Sequence, residues 1–142
     1  MRGRLAASML LCATAQAAPD GAALYGQHCA SCHQADGSGT VGLAPALKGE
    51  HWARLGADRS YLAAVLQHGL SGPIVVNGQR FVGSMPAFSG ALSDEQLAAI
   101  STHVAHLQGR SGEPYSVGEL KAARDAGGSP PQSRERRAQL LK

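Results

Sequence analysis

The spacing of apolar residues along the chain predicts three core helices. Asp20, Asp58 and Ser93 are residue types that cap helix N-termini, and each precedes a stretch with apolar residues every three or four positions. Gly69 and Gly109 follow the second and third stretches, where glycine commonly ends a helix. Each predicted helix therefore has one apolar face to bury.

The segments between the helices predict a loop and a hairpin. Residues 37–49 contain four glycines, which is typical of a loop. Residues 73–76 and 79–82 are extended stretches on either side of Asn77-Gly78, a dipeptide that accepts the positive φ angles of a type I′ turn. The pattern thus predicts one small β-hairpin between the second and third helices.

The C-terminal region has a different composition. Ser116 and Glu119 have the spacing of a capping box and predict a short helix near residues 117–125. Residues 127–142 are rich in Gly, Pro, Ser and Arg, so we expect them to be disordered and to add little to stability. The resulting division is a signal peptide at 1–17, a main domain at 18–112 and a C-terminal extension at 113–142.

The first residues have the pattern of a secretory signal. A basic start at residues 1–4 precedes an apolar run at 5–13, and Ala15-Gln16-Ala17 is a small-x-small cleavage pattern. The alternative is an amphipathic or buried first helix, but the run lacks polar residues at helical spacing. We therefore expect export, with residues 1–17 removed.

The charge balance argues against two classes of function. The chain has 13 Lys and Arg against 10 Asp and Glu, and two of the basic residues lie in the predicted signal, so the remainder is nearly neutral. No basic patch interleaved with aromatic residues supports nucleic-acid binding. No apolar run reaches the 18 or so residues of a spanning helix, so an integral membrane protein is not expected.

The C-terminal tail contains a basic cluster formed by Arg134, Arg136 and Arg137. This cluster is either solvated or a docking element for a larger dehydrogenase.

The chemistry is concentrated at Cys29, Cys32 and His33. The two cysteines lie one helical turn apart, where their thiols can reach the two vinyl groups of one haem, and the adjacent histidine can reach the iron. A thiol redox pair normally belongs to a βαβ context, which is absent here, and a zinc site needs a further pair of ligands. The pattern therefore predicts covalent attachment of one haem c.

A sixth iron ligand is needed if the protein carries electrons. Met85 is the only methionine beyond the predicted signal, and it lies in the Gly- and Pro-containing loop at residues 83–87. His51, His68 and His103 are the competing candidates, each of which is otherwise a packed or surface histidine.

These residues resemble a known family, the class I c-type cytochromes, and in particular the small single-haem cytochromes associated with bacterial dehydrogenases and oxidases. The resemblance covers residues 20–109. Besides the cysteine and histidine motif, the matching positions are Gly21, Tyr25, Pro45, Leu47 and Met85.

The resemblance implies an all-α fold with three core helices around one covalent haem, a small β-hairpin and loops. It implies that Gly21 and Tyr25 lie where the first and last helices cross. It also implies that His33 and Met85 ligate the iron and that the carbonyl of Pro45 accepts a hydrogen bond from His33. One departure is His103, which stands where the family places an aromatic residue against the first helix.

The implied function is that of a periplasmic electron carrier and not of an enzyme. Its expected partners are a periplasmic dehydrogenase and a terminal oxidase or another cytochrome. The alternatives are a haem-c subunit of a multi-subunit oxidoreductase and a catalytic or sensory haem protein that binds a small molecule at the iron. The last alternative requires that Met85 does not ligate the iron.

Overall fold

A computed structural model describes residues 17–142 of the chain. The predicted signal peptide, residues 1–17, lies outside the described residues except for Ala17. The described part is dominated by helices and has two small sheets, in agreement with the predicted fold class. The helices are α1 (Gly21–His28), α2 (Ala30–His33), α3 (His51–Leu55), α4 (Arg59–His68), α5 (Asp94–Leu107), α6 (Val117–Ala126) and α7 (Pro130–Leu140). The strands are β1 (Leu70–Ser71), β2 (Ile74–Val76), β3 (Gln79–Phe81) and β4 (Ser84–Met85).

The crossing of α1 and α5 forms the centre of the fold. Gly21 lies so close to α5 that a Cβ atom there would stand 2.2 Å from the carbonyl oxygen of Ala99. One turn further, the rings of Tyr25 and His103 pack with their centroids 5.0 Å apart. Only glycine permits this approach, so the expected roles of Gly21 and Tyr25 at the crossing are confirmed.

The first helix does not continue smoothly into the cysteine motif. Asp20 caps α1 by accepting from the backbone N–H groups of Ala22 and Ala23, as the sequence predicts. The helix ends at Cys29, whose φ and ψ of −124° and −36° depart from helical values, and α2 begins at the next residue. Helices α1 and α2 therefore meet at Cys29, the first residue of the motif.

The predicted hairpin is present, together with a second strand pair that was not expected. Strands β2 and β3 are antiparallel, with Ile74 opposite Phe81, and Asn77 and Gly78 have the positive φ angles of the predicted turn. Strands β1 and β4 enclose this hairpin and pair Leu70 with Met85. Two residues per strand carry no recognisable alternation, so the outer pair could not be predicted from the sequence.

Helices α4, α5 and α6 pack against one another through a buried polar group as well as apolar contacts. The capping boxes predicted for α5 and α6 are both formed. The fully buried amide of Gln67 on α4 donates to Asp94 on α5 at 2.8 Å and to the carbonyl oxygen of Leu120 on α6 at 2.9 Å. One side chain thereby ties three helices together.

The prediction of disorder for residues 127–142 is wrong over most of its length. Residues Pro130–Leu140 form α7, with Ser133 and Arg137 buried. Two prolines in the first turn favour a helix start because their φ angles are already helical and their missing N–H groups would lack partners there. The low apolar content hid this helix, whose only large apolar residues, Leu140 and the following Leu141, pack against the core at its C-terminal end.

Among the residues that the structure describes, none of the helices has the length and apolar character needed to cross a membrane.

Candidate functional site

An apolar cavity runs between α1, α2, the loop at residues 43–47, α4 and the strands. It contains about 1290 Å³ of empty space, counting its open side. The predicted site residues all line this cavity: Cys29, Cys32, His33, Pro45 and Met85. All five residues singled out by the sequence are thus brought to one cavity.

The two cysteines differ in their surroundings. Cys29 is buried and Cys32 is exposed, and neither forms a disulfide. Burial raises the pKa of the Cys29 thiol to about 11, and the neighbouring Cys32 contributes to the rise. Cys29 therefore remains a neutral thiol at ordinary pH, and both sulfurs lie at the cavity wall.

His33 has one ring nitrogen occupied and the other free. Its Nδ1 lies 2.9 Å from the carbonyl oxygen of Pro45. A carbonyl can only accept, so Nδ1 carries the proton and donates this bond. Burial lowers the pKa of His33, which is only 7% exposed, so the ring is neutral. Its Nε2 then has an unshared electron pair and makes no hydrogen bond to any described residue.

The position of Pro45 depends on a tightly folded loop. The backbone N–H of Leu47 donates to the carbonyl oxygen of Gly37 at 2.8 Å. Gly39 has a φ of 79°, and a Cβ atom there would lie 2.7 Å from backbone atoms of residues 44–46. The loop glycines thus let residues 37–47 fold back on themselves and bring the Pro45 carbonyl to His33.

Met85 is placed by the outer strand pair. It lies on β4 opposite Leu70, and the backbone N–H of Phe88 donates to the carbonyl oxygen of Leu66 on α4 at 2.9 Å. Gly69 passes so close to this segment that a Cβ atom there would stand 2.6 Å from the carbonyl oxygen of Met85. The chain around Met85 is therefore held on both sides of the residue.

The competing histidines fall in different places. His51 lines the cavity and its Nε2 lies 3.2 Å from the carbonyl oxygen of Ala46. His68 lies 2.9 Å from the carbonyl oxygen of Ala123 through Nε2, and His103 packs on Tyr25; neither lines the cavity. Of the three alternatives, His51 alone reaches the site.

From the sequence, Trp52 is expected to pack near the haem edge or a propionate, with a surface position as the alternative, and the structure places it at the cavity wall. Two further lining residues, His28 and Arg137, are not assigned to the site by the sequence. Trp52 is buried and directs its indole N–H toward the carbonyl oxygen of Ala46 at 3.4 Å. Arg137 reaches the cavity from α7, which the sequence placed in a disordered tail. No periodicity connects these positions, and only the folded chain brings them together.

The donor set fits a covalently held haem. Two sulfurs at the wall, a neutral buried imidazole with an unshared pair and a thioether share one apolar cavity. A cysteine pair followed directly by such a histidine defines the class of c-type haem proteins.

The comparisons with known proteins agree with this class. The model of the family described as cytochrome c oxidase, cbb3-type, subunit III matches residues 16–104. The chain belongs to the class I cytochrome c family. It is an electron-transfer protein and not an enzyme, and its cofactor is covalently bound haem c with iron.

Two relatives illustrate the extent of the similarity. The chain is 39% identical over 132 residues to cytochrome c-552 of Thermus thermophilus, with 87% of each chain covered. It is also 39% identical over 85 residues to cytochrome c6 of Microcystis aeruginosa, with 60% of this chain and 90% of the relative covered. The first match is long enough to include the C-terminal extension in part.

Proposed function

We propose that the protein is a periplasmic electron carrier in which His33 and Met85 ligate the haem iron. The observation that carries the proposal is the shared cavity: the free Nε2 of His33 and the Met85 side chain line it together. The hydrogen bond from His33 to Pro45 fixes the ring orientation and increases its donor strength. Haem supplies a single redox centre that exchanges one electron between Fe(II) and Fe(III).

Cys29 and Cys32 attach the cofactor in this proposal. Each S–H would add across one vinyl C=C bond of the haem to give a thioether, so the attachment would need no external oxidant or reductant. Cys29 is buried and Cys32 is exposed, so the attached edge of a bound haem would lie close to solvent. This arrangement gives electrons a short path to a partner protein.

The surroundings of the site favour a carrier with a raised potential. A thioether ligand favours Fe(II), and an apolar lining disfavours the additional positive charge of Fe(III). If His33 and Met85 both ligate the iron, the bound haem would have no position left for a substrate. These features support electron transfer rather than binding of a small molecule.

We further propose export through the signal peptide at residues 1–17 and exchange of electrons with a dehydrogenase and with an oxidase or another cytochrome. A second candidate is a haem-c subunit of a multi-subunit oxidoreductase. The family model that matches residues 16–104 is named for a subunit of such a complex, which favours this alternative. Co-purification from the native host distinguishes them, because a subunit elutes with its complex and a free carrier elutes alone.

Replacing the proposed sixth ligand tests the central claim. Oxidised wild type should show the weak sulfur-to-iron charge-transfer band and, once reduced, bind carbon monoxide poorly. Met85→Ala should retain covalent haem, lose the band, bind carbon monoxide and have a lower potential. Met85→Leu is the matched variant, because it preserves side-chain volume but lacks the sulfur, and it should behave in the same way.

The histidine variants provide the controls for this experiment. His68→Ala and His103→Ala should leave the charge-transfer band unchanged, since neither residue lines the cavity. If wild type binds carbon monoxide readily, or if His51→Ala removes the sixth ligand while Met85→Leu does not, the ligation proposed here is wrong and the ligand-binding alternative replaces it.

The attachment residues are tested separately. Cys29→Ala combined with Cys32→Ala should leave no haem on the polypeptide after acid-acetone extraction, whereas Ser31→Ala between them should retain it. Covalent haem on the double variant would contradict the attachment proposed here.

A further inference from the structure

Arg137 on α7 is a buried cation without an acidic partner. Arg137 is only 6% exposed to solvent. Its one hydrogen bond among described residues is donated by Nη2 to the carbonyl oxygen of Val75, at 3.3 Å. None of the five ion pairs found in the described part of the chain includes it. A guanidinium has five N–H donors and stays charged in proteins, so such a position is unfavourable unless an anion accompanies it.

The place where Arg137 is buried is the haem cavity. It lines this cavity together with His51, Trp52 and Tyr61. The Nδ1 atom of His51 is likewise buried and has no hydrogen-bond partner among the described residues. No Asp or Glu lines the cavity within residues 17–142. The protein thus places the Arg137 guanidinium in an apolar cavity and supplies no acidic group there to match its charge.

Helix α7 is docked in a way that fixes the position of Arg137. Arg136 forms an ion pair with Asp58 at the start of α4, and Arg54 on α3 donates to the carbonyl oxygen of Leu141 at 2.9 Å. Arg134 packs on Gly72, at a point where a Cβ atom would collide with its guanidinium. These contacts anchor α7 on both sides of Arg137, whose own side chain lines the cavity.

We propose that Arg137 binds a propionate carboxylate of the haem and that this ion pair holds α7 against the holoprotein. Haem brings its own anions, because it carries two propionate groups in addition to the vinyl groups that the cysteines take. A guanidinium matches a carboxylate with two parallel N–H donors. The inference rests on the proposed placement of haem in this cavity and assigns a second function to the C-terminal extension.

The proposal predicts a change in potential that follows from charge. A fixed positive charge near the iron disfavours Fe(III), and it also neutralises a propionate that would otherwise favour Fe(III). Arg137→Gln removes both effects, so it should lower the reduction potential of the holoprotein. Arg137→Lys retains the charge but not the planar pair of donors, and it should recover part of the loss.

The matched control is Arg80→Gln. It removes the same charge from an exposed position on β3, and Arg80 neither lines the cavity nor forms any of the ion pairs in the described part of the chain. Three measurements on each holoprotein are compared: the reduction potential, the propionate bending band in the resonance Raman spectrum, and hydrogen exchange of the α7 backbone. Arg137→Gln should change all three, with α7 exchanging at least tenfold faster, while Arg80→Gln should leave the Raman band in place.

A purely structural role for Arg137 gives a different result. If Arg137→Gln speeds exchange in α7 while the propionate band and the potential match those of Arg80→Gln, the ion pair does not exist and the proposal is overturned. The charge-transfer band separates this outcome from a failure of the proposed ligation. If wild type shows that band and Arg137→Gln has no effect on the propionate, the inference fails alone.

Discussion

At the level of single residues, the neutral state of His33 explains how one ring can serve two partners, the Pro45 carbonyl at Nδ1 and the proposed iron at Nε2. The Nδ1–H of His33 donates to the Pro45 carbonyl oxygen, and burial disfavours a second proton on the ring by lowering the pKa of His33. The free electron pair on Nε2 is then available without competition from protonation. A glycine elsewhere in the loop, Gly39, makes this possible, since the Pro45 carbonyl reaches the ring only because the loop folds tightly.

His103 predicts a measurable pH dependence of stability. Burial against Tyr25 lowers its pKa from 6.5, with nearby His106 adding to the shift. The unfolded chain then takes up a proton at this site before the folded chain does, so stability falls as pH drops below about 6.5. His103→Phe removes this contribution and should reduce the loss of melting temperature between pH 7 and pH 5.

His106→Gln is the control for this experiment, because His106 is an exposed histidine on the same helix. It should leave most of the pH dependence in place. An equal slope in wild type and His103→Phe would show that the crossing of α1 and α5 is insensitive to the charge of residue 103.

At the level of elements, the caps and the turn could be predicted because they depend on neighbouring residues. The capping boxes of α5 and α6 each require two side chains three positions apart, and the hairpin requires only Asn77 and Gly78. The pairing of β1 with β4 joins residues 14 or so positions apart along two-residue strands, and no local pattern marks it.

The ion pair between α4 and α6 supplies a prediction at this level. Arg59 lies within 2.6 Å of Glu119 through Nε, and this pairing, with the bonds from Ser116, lowers the pKa of Glu119 from 4.5 to about 2. The ionised carboxylate therefore stabilises the fold at pH above about 4.5, and this contribution is lost as pH falls toward about 2. Glu119→Gln should lower stability at pH 7 and flatten the acid limb of the unfolding curve.

The measurement is chemical unfolding of the holoprotein as a function of pH. Lys121→Gln on the same helix is the comparison, since Lys121 pairs only with the exposed Asp125 and such pairs contribute little. If Glu119→Gln and wild type lose stability in parallel between pH 5 and pH 2, the pairing with Arg59 contributes nothing to the acid transition.

At the level of the whole molecule, α7 forms part of the cavity wall, whereas the sequence predicts a disordered tail there. Leu140 and Leu141 pack against the main core cluster, and Arg137 lines the cavity. Ending the chain after Gly127 should expose this surface and lower the free energy of unfolding by about 2 to 3 kcal/mol. At roughly 4 °C per kcal/mol, the melting temperature of the holoprotein should fall by roughly 10 °C.

Calorimetry of the truncated and full-length holoproteins checks this expectation. A chain that ends after Leu141 is the control, because it keeps α7 and removes only the terminal residue. A truncated protein that melts with the full-length one would restore the interpretation of residues 127–142 as a loose tail.

The spacing of neighbouring residues in the sequence determines the attachment motif, the helix caps and the approximate extent of four of the helices. Cys29, Cys32 and His33 are consecutive or one turn apart, so their joint use follows from helical geometry alone. Met85 and Pro45 could be selected as candidates, but bringing them to the same cavity required the β1 and β4 pairing and the tight loop. Arg137 entered the site only through tertiary packing. A helix of low apolar content gains its stability from contacts distant in sequence, and those contacts exist only once the chain has folded.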